Sequence, residues 1–332
     1  MWFERLTGFK EECPKQVRNN IQIKGNKLIS LVNNSEYIFG ELKTPLLEEL
    51  RTQSKPLDKY NSEISVSEIV GNVQTFHQEK ENNGAFFQAA SQFNLLEMVS
   101  PRVTPEKGVA IYENDLTQGP ACAVACGAGT IYRNYFASVN GRTGQSADNQ
   151  IDCLKDIGIE LGNTESQLWE MSNGYALANY GGLQIISKKL NAFTKPEYEY
   201  LMGKLRIGLQ TDTEVTIGEN KNIVTQAYCS ALPVAYSDVP AEHWEDFARL
   251  ILNATYESTF YAALANFEKT NNSYVYLTLV GGGVFGNKGE WIFDAIRRSV
   301  NKFRKTPLNI KIVSYSSSNF YVQTFINSLA TR

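Results

Sequence analysis

Residues 274–287 read Tyr-Val-Tyr-Leu-Thr-Leu-Val followed by Gly281-Gly282-Gly283-Val284-Phe285-Gly286-Asn287, with a helix expected from about Glu290. An apolar strand that runs into glycines and then into a helix start suits a diphosphate. Glycines let backbone N–H groups come close to an anion, and the helix N-terminus adds partial positive charge. Val284 and Phe285 within the loop could wall a ribose or a base. An isolated glycine triplet is more often a plain tight turn, and the position of this one at the carboxyl end of an apolar strand is what favours phosphate. The order of residues is neither that of a Walker A loop nor that of the first Rossmann turn.

The acids that could act on a bound sugar are Asp115, Asp238, Asp246 and Glu257. Asp115, Thr117 and Gln118 precede Gly119-Pro120 and an alanine-rich run, which reads as a helix start with proline in its first turn. A helix start of this kind serves either a ligand or its own cap, and both readings stand for Asp115. Asp238 falls at a turn joining a strand to a helix, where a cap and a site are equally well accommodated. Asp246 and Glu257 lie on one helical segment and sit ~16 Å apart if it is straight, so both cannot touch one ribose. For either alone, a solvated helix face is the commoner explanation. The chain holds two histidines, and its five cysteines form no CxxC pair, so neither a metal nor a cofactor is expected. Cys122 and Cys126 would share a helix face.

These groups need a scaffold, and the 332 residues, 42% hydrophobic, supply a large core. A formal charge of -3 argues against a nucleic-acid partner, and no apolar run reaches the ~20 residues of a spanning helix. The opening residues do not read as a secretory signal, and together with the cysteine usage this points to a reducing, cytoplasmic setting. Strands are expected over 64–73, 85–90, 214–217, 224–232, 274–280 and 309–315, with helices over 41–57, 119–132, 242–267, 291–303 and 320–329. Strands alternating with helices predict an α/β fold in which helices cover a sheet. Residues 1–63 read as an N-terminal extension packed on the core, and 64–332 as the catalytic domain with a large insertion at about 135–210.

With these motifs in order, the chain resembles the macrodomains, in the branch of the poly(ADP-ribose) glycohydrolases and the MavL-type arginine-specific ADP-ribosylhydrolases. Gly281 to Asn287 resembles the second diphosphate loop of that fold, and 309–315 with 320–329 its closing strand and helix. Val70-Gly71-Asn72-Val73 resembles the Gly-Asp-Ile turn that reads adenine, with Asn72 in place of the Asp. Phe87-Gln88-Ala89-Ala90-Ser91 resembles a Val-Asn-Ala-Ala-Asn strand end facing the distal ribose. Ser91 departs from that pattern, so Gln92 or Asn94 must supply the amide. Where the family has its first glycine loop, 97–113 holds only Gly108, and Asp115, Thr117 and Gln118 would then approach the phosphate or distal ribose.

The resemblance implies a three-layer α/β/α fold with a mixed central sheet and a hydrolase that removes ADP-ribose from modified protein side chains. Arginine is the implied linkage, with ADP-ribosylated ubiquitin among the implied substrates. ADP-ribose and an ADP-ribosylated protein are then the partners, with no nucleic acid and no membrane. The alternative is a non-catalytic module that binds ADP-ribose, because phosphate loops give affinity without turnover.

Overall fold

The computed structural model describes residues 1–330. Seven strands form the central sheet, labelled in chain order: β1 (Glu41–Lys43), β2 (Ser65–Val70), β3 (Phe86–Ala90), β4 (Gly208–Glu214), β5 (Ile223–Cys229), β6 (Tyr274–Leu277) and β7 (Asn309–Ser314). Their spatial order is β1-β4-β5-β3-β6-β7-β2. The run from β5 to β2 is parallel, and β4 lies antiparallel to both β5 and β1. The parallel strands therefore deliver their carboxyl ends to one edge, where open α/β sheets bind ligands.

Alternation along the strands supplies both faces with side chains. Phe87 stacks on His77 and Tyr276 on one face, while its neighbour Gln88 donates to Thr259 on the other. Helices Val73–Gln78, Gln118–Ala125 and Gly127–Tyr135 cover the first face. On the second, Leu47–Gln53, Tyr180–Ala192, Lys195–Gly203 and Gly289–Lys302 surround the long helix Glu245–Thr270. That helix is buried along most of its length, which is why its apolar residues occupy more than one stripe. The expected three-layer α/β/α architecture with a mixed sheet is present.

Three expected elements change. Residues 41–57 are not one helix: β1 pairs with Leu209, Gln210 and Thr211, and the helix begins only at Leu47. Pro45 explains the break, because it disfavours helical backbone at the residue before it. The expected strand at 214–217 instead ends at Glu214 and starts at Gly208, across polar residues disguised by a bulge between Gln210 and Thr213. The alanine-rich helix splits at Cys126, whose φ of -115° and ψ of 60° are not helical, so Cys122 lies within the first helix and Cys126 at the break.

Residues 1–63 contribute β1 and also a second apolar cluster, in which Trp2, Phe3, Leu6 and Leu28 pack with Tyr112 and Ile131. Glu11 accepts the Val109 and Ala110 N–H groups at 3.0 and 2.6 Å and the Tyr135 hydroxyl at 2.7 Å. It thereby anchors the loop that leads to Asp115. The segment 135–210 includes the hairpin Trp169–Ser172/Tyr175–Ala178, which brings Tyr175 to the sheet edge described below. No helix among the described residues is long and apolar enough to cross a membrane.

A candidate active-site cleft at the sheet edge

The chain leaving β6 is held before it turns. Tyr256 Oη accepts the Val280 N–H at 3.0 Å and donates to the Thr278 carbonyl at 2.8 Å. Gly281 then adopts φ +78°, where a Cβ would come within 2.5 Å of the Ala231 Cβ, so the turn requires glycine. Asn287 closes the loop, with Nδ2 donating to the Leu232 carbonyl at 2.8 Å and its N–H to the Gly281 carbonyl at 2.9 Å. Gly283 faces open space, Val284 is exposed, and Phe285 is buried beside Tyr175 and Tyr236 at ring separations of 5.2 and 5.6 Å.

Helix Gln118–Ala125 forms the facing wall and begins against the end of β3. Gln118 Oε1 accepts the Ala90 N–H at 2.9 Å, and Nε2 donates to the Gln88 carbonyl at 2.7 Å. The Gln118 amide thus ties helix to strand. Asp115 is half-buried, and its Oδ1 accepts the Thr117 N–H at 2.9 Å and the Thr117 hydroxyl at 2.6 Å.

Between these walls lie two cavities. One, of about 260 Å³, is lined by Gln92, Glu97, Tyr236, Gly281, Gly283 and Phe285. The other, of about 540 Å³, is lined by Trp2, Arg5, Asn72, Val73, Val313 and Tyr315. Asp115, Thr117, Gln118 and Thr278 line both, so they form one cleft along the strand ends.

Glu97 is a cleft residue that is not among the candidates drawn from the sequence. It is 2% exposed, and neither carboxyl oxygen has a hydrogen-bond partner among the described residues. Arg133 Nη2 stands 3.8 Å from Oε2, beyond hydrogen-bond range. The Arg133 guanidinium is also fully buried, stacked over Tyr228 at 3.5 Å, with Nε donating to the Leu95 carbonyl at 3.1 Å. Burial pushes the Glu97 carboxyl up to about 8; Arg133 opposes that rise and the charge of Asp115 adds to it. The signal in the sequence was a lone acid inside Leu95-Leu96-Glu97-Met98-Val99, an apolar context in which an acid has no solvent.

The remaining site candidates divide between the cleft and the scaffold. Asn72 caps helix Val73–Gln78 by accepting the Gln74 N–H at 2.9 Å, and with Val73 it lines the larger cavity. Gln92 accepts the Met98 N–H at 2.9 Å and lines the smaller one. Asn94 lies outside the cleft lining, because its amide is committed to Gln150 Oε1 at 2.8 Å and to the Leu96 N–H at 3.1 Å. Gly282 turns towards Ile292 rather than the smaller cavity. Gly286 is absent from the lining of both cavities, and Asn287 serves loop closure.

The fold places three of the four acids outside the cleft. Asp238 is exposed and outside both cavities. Asp246, in the first turn of helix Glu245–Thr270, accepts from Asn191 Nδ2 at 3.1 Å on the opposite layer. Glu257 is fully buried in that layer, where Arg51, Lys302 and Arg298 all bind its carboxylate. Against the effect of burial, hydrogen bonds from Arg51 and Lys302 and their charges hold it down at about 2. It is a structural anion, and Asp115 is the candidate acid that the fold brings to the cleft.

No protein-family model matches the chain, and no curated protein does. Solved structures similar to it include the poly(ADP-ribose) glycohydrolase of Thermomonospora curvata, 8% identical over 95% of both chains with a TM-score of 0.44. The same enzyme bound to the inhibitor ADP-HPD gives 8% identity over 95% of both chains and a TM-score of 0.42. The poly(ADP-ribose) glycohydrolase of Deinococcus radiodurans in complex with ADP-ribose is 11% identical, covering 87% of this chain and 93% of that one, with a TM-score of 0.42. Likeness at this distance transfers no residue role to this chain.

What the cleft can do follows from its own groups. The glycine loop, the half-buried Asp115 side chain and a carboxyl withheld from solvent at Glu97 share one cavity. Two acids in unlike environments are the usual equipment for acid–base chemistry on a glycosidic bond. No group of three or more His, Cys, Asp or Glu placed to hold a metal occurs among the described residues.

Proposed function

We propose that the protein binds ADP-ribose in this cleft and hydrolyses its bond to a protein side chain, with arginine as the linkage. The observation that carries the proposal is the placement of Asp115 and Glu97 in the cavity that the glycine loop walls. The adenine end would lie by Asn72, Val73 and Tyr315, the diphosphate against Gly281 to Phe285, and the distal ribose towards Gln92. In the reaction, water adds its oxygen to C1″ as the bond to the guanidinium nitrogen breaks. Asp115 accepts the water proton and passes it on to the released guanidine, which leaves as guanidinium. A carboxylate beside C1″ also stabilises the oxocarbenium-like transition state and attracts the cationic side chain. The buried free thiols Cys122, Cys126, Cys153 and Cys229 suit a reducing compartment, and a cytoplasmic site of action is part of this proposal.

A second reading, a module that binds ADP-ribose without cleaving it, is favoured by one contact: Asp115 Oδ1 already accepts the Thr117 N–H and hydroxyl. Release assays separate the two. Arginine-, glutamate- and serine-linked ADP-ribosyl proteins, with arginine-linked ubiquitin among them, are incubated with the protein and free ADP-ribose is followed. Release confined to the arginine linkage supports the proposal. Release from another linkage removes the arginine specificity, and none from any linkage leaves the binding module.

A further inference from the structure

Glu97 lies where the glycine loop and the start of helix Gln118–Ala125 enclose the smaller cavity. Among the described residues, no hydrogen bond of ordinary length reaches either of its carboxyl oxygens. Tyr112 Oη accepts the Glu97 backbone N–H at 3.0 Å and lies near enough to the carboxyl to lower its pKa against the larger effect of burial. Arg133 is 3.8 Å away and directs Nε and Nη2 to Leu95 and Thr130, while its Nη1 has no hydrogen-bond partner among the described residues. Gly119 leaves room beside the carboxyl, since a Cβ there would sit 3.2 Å from Glu97 Cγ. A buried polar group without a partner that lines a cavity is suited to a group that arrives with a ligand.

The groups facing Glu97 are Arg133 on helix Gly127–Tyr135, Tyr112 and Asp115 before helix Gln118–Ala125, Cys122 on that helix, and Tyr228 on β5. Burial raises Tyr112, Cys122 and Tyr228 well above their ordinary values, so they stay neutral and Arg133 is the single cation among them. A diphosphate on the glycine loop would bring further negative charge into the same cavity, and an ionised Glu97 would repel it. A protonated carboxyl instead offers an O–H to an anion.

We propose that Glu97 is a ligand-binding residue of this cleft, donating its carboxyl O–H to an oxygen of the diphosphate or distal ribose. Nucleotide binding is then linked to a proton. The inference rests on the ADP-ribose reading above. With the carboxyl of the free protein at about 8, affinity is flat below that pH. Above it the group must take up a proton as ligand binds, and Kd rises about tenfold per pH unit.

Titration calorimetry of the full chain with ADP-ribose, from about pH 6.5 to about pH 9.5 in buffers of different ionisation enthalpy, tests this. The expected result is uptake approaching one proton at the alkaline end. Glu97→Gln, which keeps an N–H donor and cannot titrate, should hold its neutral-pH affinity to within about threefold and lose the pH slope; Glu97→Ala should bind about tenfold more weakly. Binding without proton uptake overturns the Glu97 proposal alone, as does a Gln variant that keeps the wild-type slope or binds as weakly as the Ala variant. Absence of ADP-ribose binding at every pH overturns the ADP-ribose reading and this proposal with it.

Discussion

Gly119 and Ala90 set the width of the cleft floor. A Cβ on Gly119 would stand 1.9 Å from the Ala90 carbonyl oxygen, so helix Gln118–Ala125 starts against the end of β3 only because residue 119 has no side chain. That approach puts Gln118 within reach of Ala90 N–H and Gln88 carbonyl and brings Asp115 and Glu97 into one cavity. Sheet edge and acids are therefore coupled through a single backbone contact.

Gly119→Ala is accordingly expected to destabilise the fold by about 1–3 kcal/mol, the usual cost of overpacking against a neighbour that cannot move away. The clash is with backbone, so the helix must shift and ADP-ribose affinity must fall with it. Thermal unfolding and calorimetry on the same preparation check this, and an unchanged melting temperature with unchanged affinity would refute it.

The glycine loop offers a cleaner experiment. Gly283 has no atom within 4 Å of an added Cβ and lines the smaller cavity, whereas Gly281 has φ +78° and Gly282 approaches Ile292 at 3.0 Å. Gly283→Val should stay folded and weaken ADP-ribose binding by roughly tenfold or more, by filling the space a phosphate would use. Gly281→Val should lose stability first, because a β-branched residue is strained at positive φ. Tight binding by a folded Gly283→Val protein would remove the diphosphate from this loop.

The loop was legible in the sequence because β6, β7 and the final helix read as apolar runs around it, as strands buried on both faces do. For Glu97 the sequence holds only the apolar run around it, since the acid's burial depends on Arg133, Tyr112 and Gly119 packing around it from distant segments. Glu257 shows the same limit from the other side. Its helix was foreseen, but the layer it faces is set by Arg51, Arg298 and Lys302, whose positions only the fold determines. Trp2 and Arg5 likewise reach the cleft from a segment read only as an extension.

Two buried groups give the protein a defined response to acid. His77, stacked at 3.7 Å on Phe87, hydrogen-bonds Val73 and Gln226, and burial holds it down at about 4. The unfolded chain binds a proton near 6.5 and the folded chain does not, so stability is full above about 6.5 and falls as pH drops towards 4. Glu257 adds a second window: its contribution is present above about 4.5 and is lost as pH falls towards 2. Each is worth on the order of 3 kcal/mol. Urea unfolding between neutral and acid pH should show His77→Gln abolishing part of the first loss and Glu257→Gln part of the second. Identical pH profiles for wild type and both variants would refute the assignment.

Asp115 carries the decision between enzyme and binding module, and Asn at that position separates its two roles. An Asn side chain still presents an oxygen to the Thr117 N–H and hydroxyl in the turn before the helix, so Asp115→Asn should leave stability nearly unchanged. What it removes is the charge and the ability to take a proton from water. If Asp115 acts on the developing charge at C1″, release of ADP-ribose from arginine-linked protein should slow by roughly a hundredfold or more, with ADP-ribose affinity within several-fold, because that interaction is made mainly in the transition state. Single-turnover release and calorimetric binding on the same variant provide both numbers. A variant that releases ADP-ribose at the wild-type rate would reduce Asp115 to the turn residue that holds Thr117 ahead of helix Gln118–Ala125, and leave the cleft without a catalytic carboxylate among Asp115, Asp238, Asp246 and Glu257.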